Sequence, residues 1–143
     1  MKKLISKSHR KTFNLGLALA RKLKKGDIIG LVGDLGAGKT VFTKGIAAGL
    51  GIDPLTVTSP TFTLINEYEG KKGKLFHFDL YRIDSSSDLE ALGYEEYFFN
   101  DGIVVIEWAD KCESLLPPKS HIIRMKYLDT NKREIIFDKK RSA

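Results

Sequence analysis

A short apolar run followed at once by a glycine-rich turn constrains this chain more than any other feature. Residues 27–33 read Asp-Ile-Ile-Gly-Leu-Val-Gly, which is typical of a strand buried on both faces of a parallel sheet. Residues 33–40 read Gly-Asp-Leu-Gly-Ala-Gly-Lys-Thr and match the spacing of a phosphate-binding loop. Residues 39–50 are compatible with a helix. Because the strand, loop and helix follow in the required order, the context supports the motif.

The residues of this loop have different physical tasks. Glycines permit backbone angles that bulkier residues avoid, so successive main-chain N–H groups can converge on phosphate oxygens. The following helix directs the positive end of its dipole at the same anion. Lys39 can neutralise the β- and γ-phosphates, and the Thr40 hydroxyl suits a Mg²⁺ coordination position. The nucleotide-binding candidates in this segment are Gly33, Asp34, Leu35, Gly36, Ala37, Gly38, Lys39, Thr40 and Val41.

Two carboxylates are candidates for the hydrolytic chemistry that a phosphate loop alone does not provide. Asp79 closes the second strand of a predicted hairpin, and Glu107 directly follows the apolar run 103–106. Open α/β sheets bind their ligands at the carboxyl ends of strands, where Glu107 should emerge. Either carboxylate could hold Mg²⁺ or orient the attacking water. The predicted metal ligands are Thr40, Asp79 and Glu107, and the predicted catalytic residues are Lys39, Asp79 and Glu107.

The remaining patterns predict a mixed α/β architecture. Ser8 is a candidate cap for a helix at 12–25, and a capping box at 87–90 opens a short helix. The predicted strands beyond the loop lie at 62–68, 74–80, 102–106, 120–128 and 133–137. We therefore expect one P-loop NTPase-like, three-layer domain over residues 1–143 with parallel and antiparallel strands. A basic tail is expected at about 138–143.

The amino-acid composition limits the classes of protein to which this chain could belong. The formal net charge of +6 favours anionic partners only mildly. The single cysteine, Cys112, excludes an intrachain disulfide and a cysteine cluster for zinc, which suits a reducing compartment. No run approaches the ~18 apolar residues that a membrane span needs. We expect a cytoplasmic protein with no membrane association.

Several other segments leave alternatives open. Residues 58–61, Thr-Ser-Pro-Thr, could sense the γ-phosphate as a mobile switch or form a simple proline turn. Trp108 could be core or an exposed contact, and His77 is interpreted as a satisfied, partly buried histidine rather than a base. Residues 131–134 imitate a guanine-reading box but end in glutamate and lie in a predicted hairpin turn, which favours ATP over GTP. Arg133 could still touch the nucleotide.

Four segments in combination resemble a known family. Residues 33–40, 59–64, 77–82 and 107–108, in this order and in a chain this short, closely resemble the bacterial ATPase family TsaE, also called YjeE. The similarity covers about residues 8–137. It implies a role in making threonylcarbamoyladenosine, the modified base beside the anticodon of tRNAs that read codons beginning with A.

The resemblance also implies partners and residue roles. TsaE would work with TsaB and TsaD, supplying Mg²⁺-dependent hydrolysis of ATP to ADP and phosphate while TsaD transfers the threonylcarbamoyl group to tRNA. Thr61 would lie in a switch-like segment, and Trp108 would lie beside the hydrolytic centre formed by Asp79 and Glu107. Residues expected on the adenosine side are Ser8, His9, Thr12 and Arg133. Val41 departs from the family, which commonly has a second threonine there that could contact the α-phosphate.

Three functions are compatible with these residues. The leading one is a partner-activated ATPase. A small kinase would use the same phosphate loop but needs an acceptor pocket and usually a lid that carries arginines. A nucleotide-gated binding module would use ATP to order residues 58–61 and present Trp108 to a partner.

Overall fold

The computed structural model describes residues 1–33, 38–60 and 64–141. The strands are β1 (Lys2–Ser6), β2 (Ile28–Val32), β3 (Ile65–Gly70), β4 (Gly73–Asp79), β5 (Ile103–Glu107), β6 (His121–Tyr127) and β7 (Arg133–Lys139). The helices are α1 (His9–Ala20), α2 (Lys39–Gly49), α3 (Ser86–Ala91) and α4 (Tyr94–Phe98). Short 3₁₀ turns span Pro54–Thr56, Ala109–Lys111 and Glu113–Leu115.

One seven-stranded sheet organises the chain in the order β1-β7-β6-β2-β5-β4-β3. Strands β6, β2, β5 and β4 pair in parallel at its centre. Strand β7 pairs antiparallel with both β6 and β1, and β3 pairs antiparallel with β4. The expected α/β fold with a mixed sheet is confirmed.

Alternating side chains along the central strands build a core on each face of the sheet. Ile29 and Leu31 of β2 pack with Phe42 and Ile46 of α2 on one face. Ile28 packs on the other face with a cluster that includes side chains from α3, α4 and the 3₁₀ turns. Because β2 is covered on both faces, its sequence is almost uninterrupted in apolar residues.

Several element boundaries differ from those predicted by the sequence. Ser8 caps helix α1 as predicted, because its Oγ accepts from the Lys11 N–H at 3.0 Å. The helix ends at Ala20 rather than at residue 25. The cap of α3 is Ser85, whose hydroxyl accepts from the Asp88 N–H at 3.4 Å, so the predicted capping box is shifted. Strand β1 and helix α4 were not predicted from the sequence.

The carboxyl-terminal basic residues are partly structural. Strand β7 extends to Lys139, so the expected basic tail begins after the strand rather than at about residue 138. Lys140 Nζ donates to the carbonyl oxygens of Glu113 at 2.8 Å and Leu116 at 2.5 Å. This lysine therefore satisfies carbonyl groups at the end of a 3₁₀ turn.

Crossing a lipid bilayer requires a longer and more apolar helix than any in the described part of the chain.

Candidate functional site

Helix α2 begins directly at the predicted phosphate-binding residues. Gly38, immediately before the helix, has a φ of 95° and a ψ of 17°, a left-handed conformation that L side chains rarely adopt. Lys39 and Thr40 are then the first two residues of the helix. Their position places both side chains beside the positive end of the helix dipole.

Lys39 is buried, and its ammonium group lies at the carboxyl ends of β2 and β5. Its Nζ donates to the carbonyl oxygen of Gly33. The same atom lies 3.6 Å from the ring centroid of Trp108, which follows the last residue of β5. Trp108 has a φ of 62°, and this left-handed residue turns the chain just beyond the strand. The tryptophan therefore lies beside the site and contributes a cation–π contact to it.

Asp79 and Glu107 are the last residues of two adjacent parallel strands and lie opposite each other in register. Both are buried, at 6% and 3% relative exposure. Asp79 Oδ2 accepts from the Ser59 hydroxyl at 2.8 Å, and its Oδ1 accepts from the Tyr81 N–H at 3.0 Å. The Ser59 contact ties the segment that precedes residue 61 to this carboxylate.

The two oxygens of Glu107 face different partners. Oε1 lies 3.5 Å from the Thr40 hydroxyl, at the outer limit of a hydrogen bond. Oε2 lies 2.5 Å from Nε2 of His77. The expectation of a partly buried, satisfied His77 is wrong, because the ring is fully buried and its Nδ1 has no partner among the described residues.

A second group of predicted residues meets beside Gly38. The small pocket there is lined by Ser8, His9, Thr12, Gly38, Val41, Asn131 and Arg133. Arg133 is buried, and its Nη1 donates to the carbonyl oxygen of Asp129 at 2.6 Å. Its Nε–H has no hydrogen-bond acceptor within the described ranges. A buried donor of this kind fits a polar ligand in the pocket.

The chemistry of the donors fits Mg²⁺. Thr40, Asp79 and Glu107 offer hydroxyl and carboxylate oxygens, which this hard cation prefers, and Mg²⁺ usually keeps several waters. Residues 1–33, 38–60 and 64–141 contain no group of three or more His, Cys, Asp or Glu side chains placed to hold a metal ion together.

Five predicted site residues lie outside the described residues: Asp34, Leu35, Gly36, Ala37 and Thr61. The structure brings Lys39, Thr40, Asp79 and Glu107 to one edge of the sheet. Sequence reasoning missed the contacts of Ser59 and His77. The spacing of His77 and Asp79, two residues apart on one strand, was the available signal, because it places both side chains on one face.

The fold and the site together define a mixed α/β protein whose central strand leads through a glycine-rich phosphate-loop sequence into a helix. A family model described as "Threonylcarbamoyl adenosine biosynthesis protein TsaE" matches residues 6–135. The chain belongs to this TsaE family, which is involved in tRNA threonylcarbamoyladenosine biosynthesis.

Individual relatives agree with the family. The chain is 48% identical over 114 residues to the tRNA threonylcarbamoyladenosine biosynthesis protein TsaE of Bacillus subtilis, covering 80% of this chain and 70% of the relative. It is 41% identical to the protein of that name from Aquifex aeolicus, with 94% of each chain covered. The crystal structure of Bacillus subtilis YdiB superposes with a TM-score of 0.78 and 38% identity, covering 95% of this chain and 83% of that one.

Proposed function

We propose that this protein is a Mg²⁺-dependent ATPase that hydrolyses ATP to ADP and phosphate in support of threonylcarbamoyladenosine formation on tRNA. It acts in the cytoplasm in a complex with TsaB and TsaD and reaches tRNA through that complex. The observation that carries the proposal is the meeting of Thr40, at the start of α2, with the paired carboxylates that close β4 and β5.

The residues at the start of α2 bind the polyphosphate. The Lys39 ammonium exchanges the Gly33 carbonyl oxygen for phosphate oxygens, which are stronger partners because they are charged. Main-chain N–H groups at the amino end of the helix point toward the same anion. Thr40, Glu107 and Asp79 would hold the metal, directly or through water. A magnesium ion held there would supply positive charge that neutralises the charge developing on the phosphate oxygens.

The pocket lined by Gly38 receives the nucleoside. His9 and Arg133 line it from α1 and from the start of β7, and the unpartnered Nε–H of Arg133 offers a donor among the described residues. Val41 also lines the pocket and cannot supply the hydroxyl that a threonine would direct at the α-phosphate. Affinity for the nucleotide therefore depends on the main-chain groups, Lys39 and Arg133.

Phosphate release tests the proposal directly. The purified protein is combined with TsaB, TsaD, ATP and Mg²⁺, and inorganic phosphate is measured over time. We expect hydrolysis that Lys39→Ala abolishes and that Lys44→Ala, a half-buried lysine on the same helix, preserves. Equal phosphate release by the wild-type and Lys39→Ala proteins would contradict the proposal.

The fate of the γ-phosphate separates hydrolysis from a kinase reaction. With γ-labelled ATP, the proposal predicts that the label accumulates as free phosphate. Label on an organic acceptor would instead identify a small-molecule kinase that uses the same phosphate loop.

A further inference from the structure

His77 occupies a position where an apolar side chain would be expected. Its neighbours along β4 are Leu75, Phe76 and Phe78, and all of them are buried. The imidazole itself has no exposed surface, and the described residues provide no partner for Nδ1. Because burying a polar ring with one nitrogen unpaired costs free energy, this position requires a compensating interaction.

The compensating interaction is with Glu107. Nε2 lies 2.5 Å from Oε2 of this carboxylate, and the two side chains are 0% and 4% exposed. A carboxylate accepts hydrogen bonds, so this contact corresponds to the tautomer with the ring proton on Nε2. The contact is available because β4 and β5 pair in parallel, with Asp79 opposite Glu107 and His77 two residues earlier on the same face.

The contact fixes the direction of the second carboxylate oxygen. With Oε2 held by His77, Oε1 is the atom that lies 3.5 Å from the Thr40 hydroxyl. Without the imidazole, the Glu107 side chain could rotate and turn either oxygen away from α2. Partners of this kind orient metal-binding and catalytic carboxylates in many sites.

We propose that His77 is a positioning residue that holds the Glu107 carboxylate toward Thr40 and so aligns the metal-binding edge of the site. The proposal rests on the proposed ATPase function for its kinetic consequence. Its structural part, the Nε2–H donor to Glu107, stands on the contact alone.

Amide substitutions test the position of the donor. Glutamine at residue 77 can place an N–H near the location of Nε2, whereas asparagine places one near Nδ1. We expect His77→Gln to retain most of the phosphate release. In His77→Asn and His77→Leu, kcat should fall and the Mg²⁺ concentration for half-maximal activity should rise by about 10- to 100-fold. ATP affinity measured without Mg²⁺ should stay within about twofold, because Lys39 and the main chain bind the phosphates.

His121→Leu is the matched control, since His121 is a half-buried strand histidine remote from the two carboxylates in the sheet register. It should leave both kinetic values unchanged. Wild-type kcat and Mg²⁺ dependence in folded His77→Leu would overturn the proposal. If the leucine variant does not fold, equal activity of the glutamine and asparagine variants overturns it.

Nitrogen-15 NMR of the imidazole in the isolated protein gives a readout independent of hydrolysis. The expected result is a His77 ring protonated at Nε2, with an N–H signal that shifts in Glu107→Ala. A ring protonated only at Nδ1, or a signal unaffected by Glu107→Ala, would overturn the proposal. If the wild-type complex releases no phosphate, the proposed function fails, and the NMR result still decides the role of His77.

Discussion

At the scale of single residues, three charged side chains are buried, although charged groups usually lie at the solvated surface. Lys39, Asp79 and Glu107 have relative exposures of 5%, 6% and 3%. Charged residues are rarely buried to this extent unless they are paired. Here the ammonium contacts a carbonyl oxygen and an aromatic ring, and both carboxylates accept hydrogen bonds. These contacts compensate the cost of burying the three charged groups.

Cys112 provides a prediction at the same scale. The thiol is buried between two 3₁₀ turns, and burial, followed by the nearby charges of Asp110 and Glu113, raises its pKa from 9.0 to about 12. Since the thiolate is the reactive form, a rise of about three pKa units lowers its population at pH 8 by about a thousandfold. Alkylation by iodoacetamide at pH 8 should therefore be very slow in the folded protein and fast in guanidinium.

Mass spectrometry after timed quenching measures the two alkylation rates. Similar rates in buffer and in denaturant would contradict the burial of this thiol.

At the scale of secondary-structure elements, the main feature is the packing of helix α1 against helix α2. Glycines at their interface, Gly16 and Gly45, bring each helix against the backbone of the other. A Cβ added at Gly45 would overlap the carbonyl oxygen of Phe13, and one at Gly16 would overlap the carbonyl oxygen of Phe42. This close approach fixes α2, whose first residues carry the side chains that we propose to bind phosphate.

Gly45→Ala separates packing from helix propensity. Alanine favours a helix by about 1 kcal/mol over glycine, whereas overpacking a tight contact costs about 1–3 kcal/mol. A backbone carbonyl cannot move aside as a flexible side chain can, so we expect the packing cost to be larger. The free energy of unfolding should fall by about 1–2 kcal/mol, and Tm by roughly 3–6 °C.

Thermal denaturation followed by circular dichroism checks this result, with Lys44→Ala on the same helix as the control. A Tm above that of the wild type would mean that propensity outweighs packing and that the helices are further apart than the structure places them.

Elements with strong local signals could be predicted, and those that depend on distant partners could not. The buried strand β2 and helix α2 were predicted to within about two residues because their apolar patterns are local. Strand β1 is short and mostly exposed, and it forms only by pairing with β7 at the other end of the chain. Helix α4 has five residues, too few for a clear period.

The features of the candidate site likewise divide into those that local sequence predicts and those that depend on distant partners. Lys39 and Thr40 follow from a contiguous motif, and the carboxylates follow from their positions at strand ends. The contact of His77 with Glu107 joins residues 30 positions apart and depends on the register of β4 against β5. No local pattern in the sequence determines that register.

At the scale of the whole molecule, the sheet gathers the site at one edge. Strand β2 lies between β6 and β5, and the parallel strands β2, β4 and β5 direct their carboxyl ends to the same side. Open α/β sheets bind ligands outside such ends, where strand order changes direction. The antiparallel strands β7 and β1 extend the sheet beyond β6, and β7 begins with Arg133, which reaches the pocket beside Gly38.

Titration calorimetry of the purified protein with ATP and Mg²⁺ tests the central claim that this edge of the sheet binds a nucleotide. The predicted result is saturable heat at one site per chain, strongly reduced in Lys39→Ala and retained in Lys44→Ala. Absence of binding heat at several temperatures, for the folded wild-type protein alone and with TsaB and TsaD, would contradict the claim.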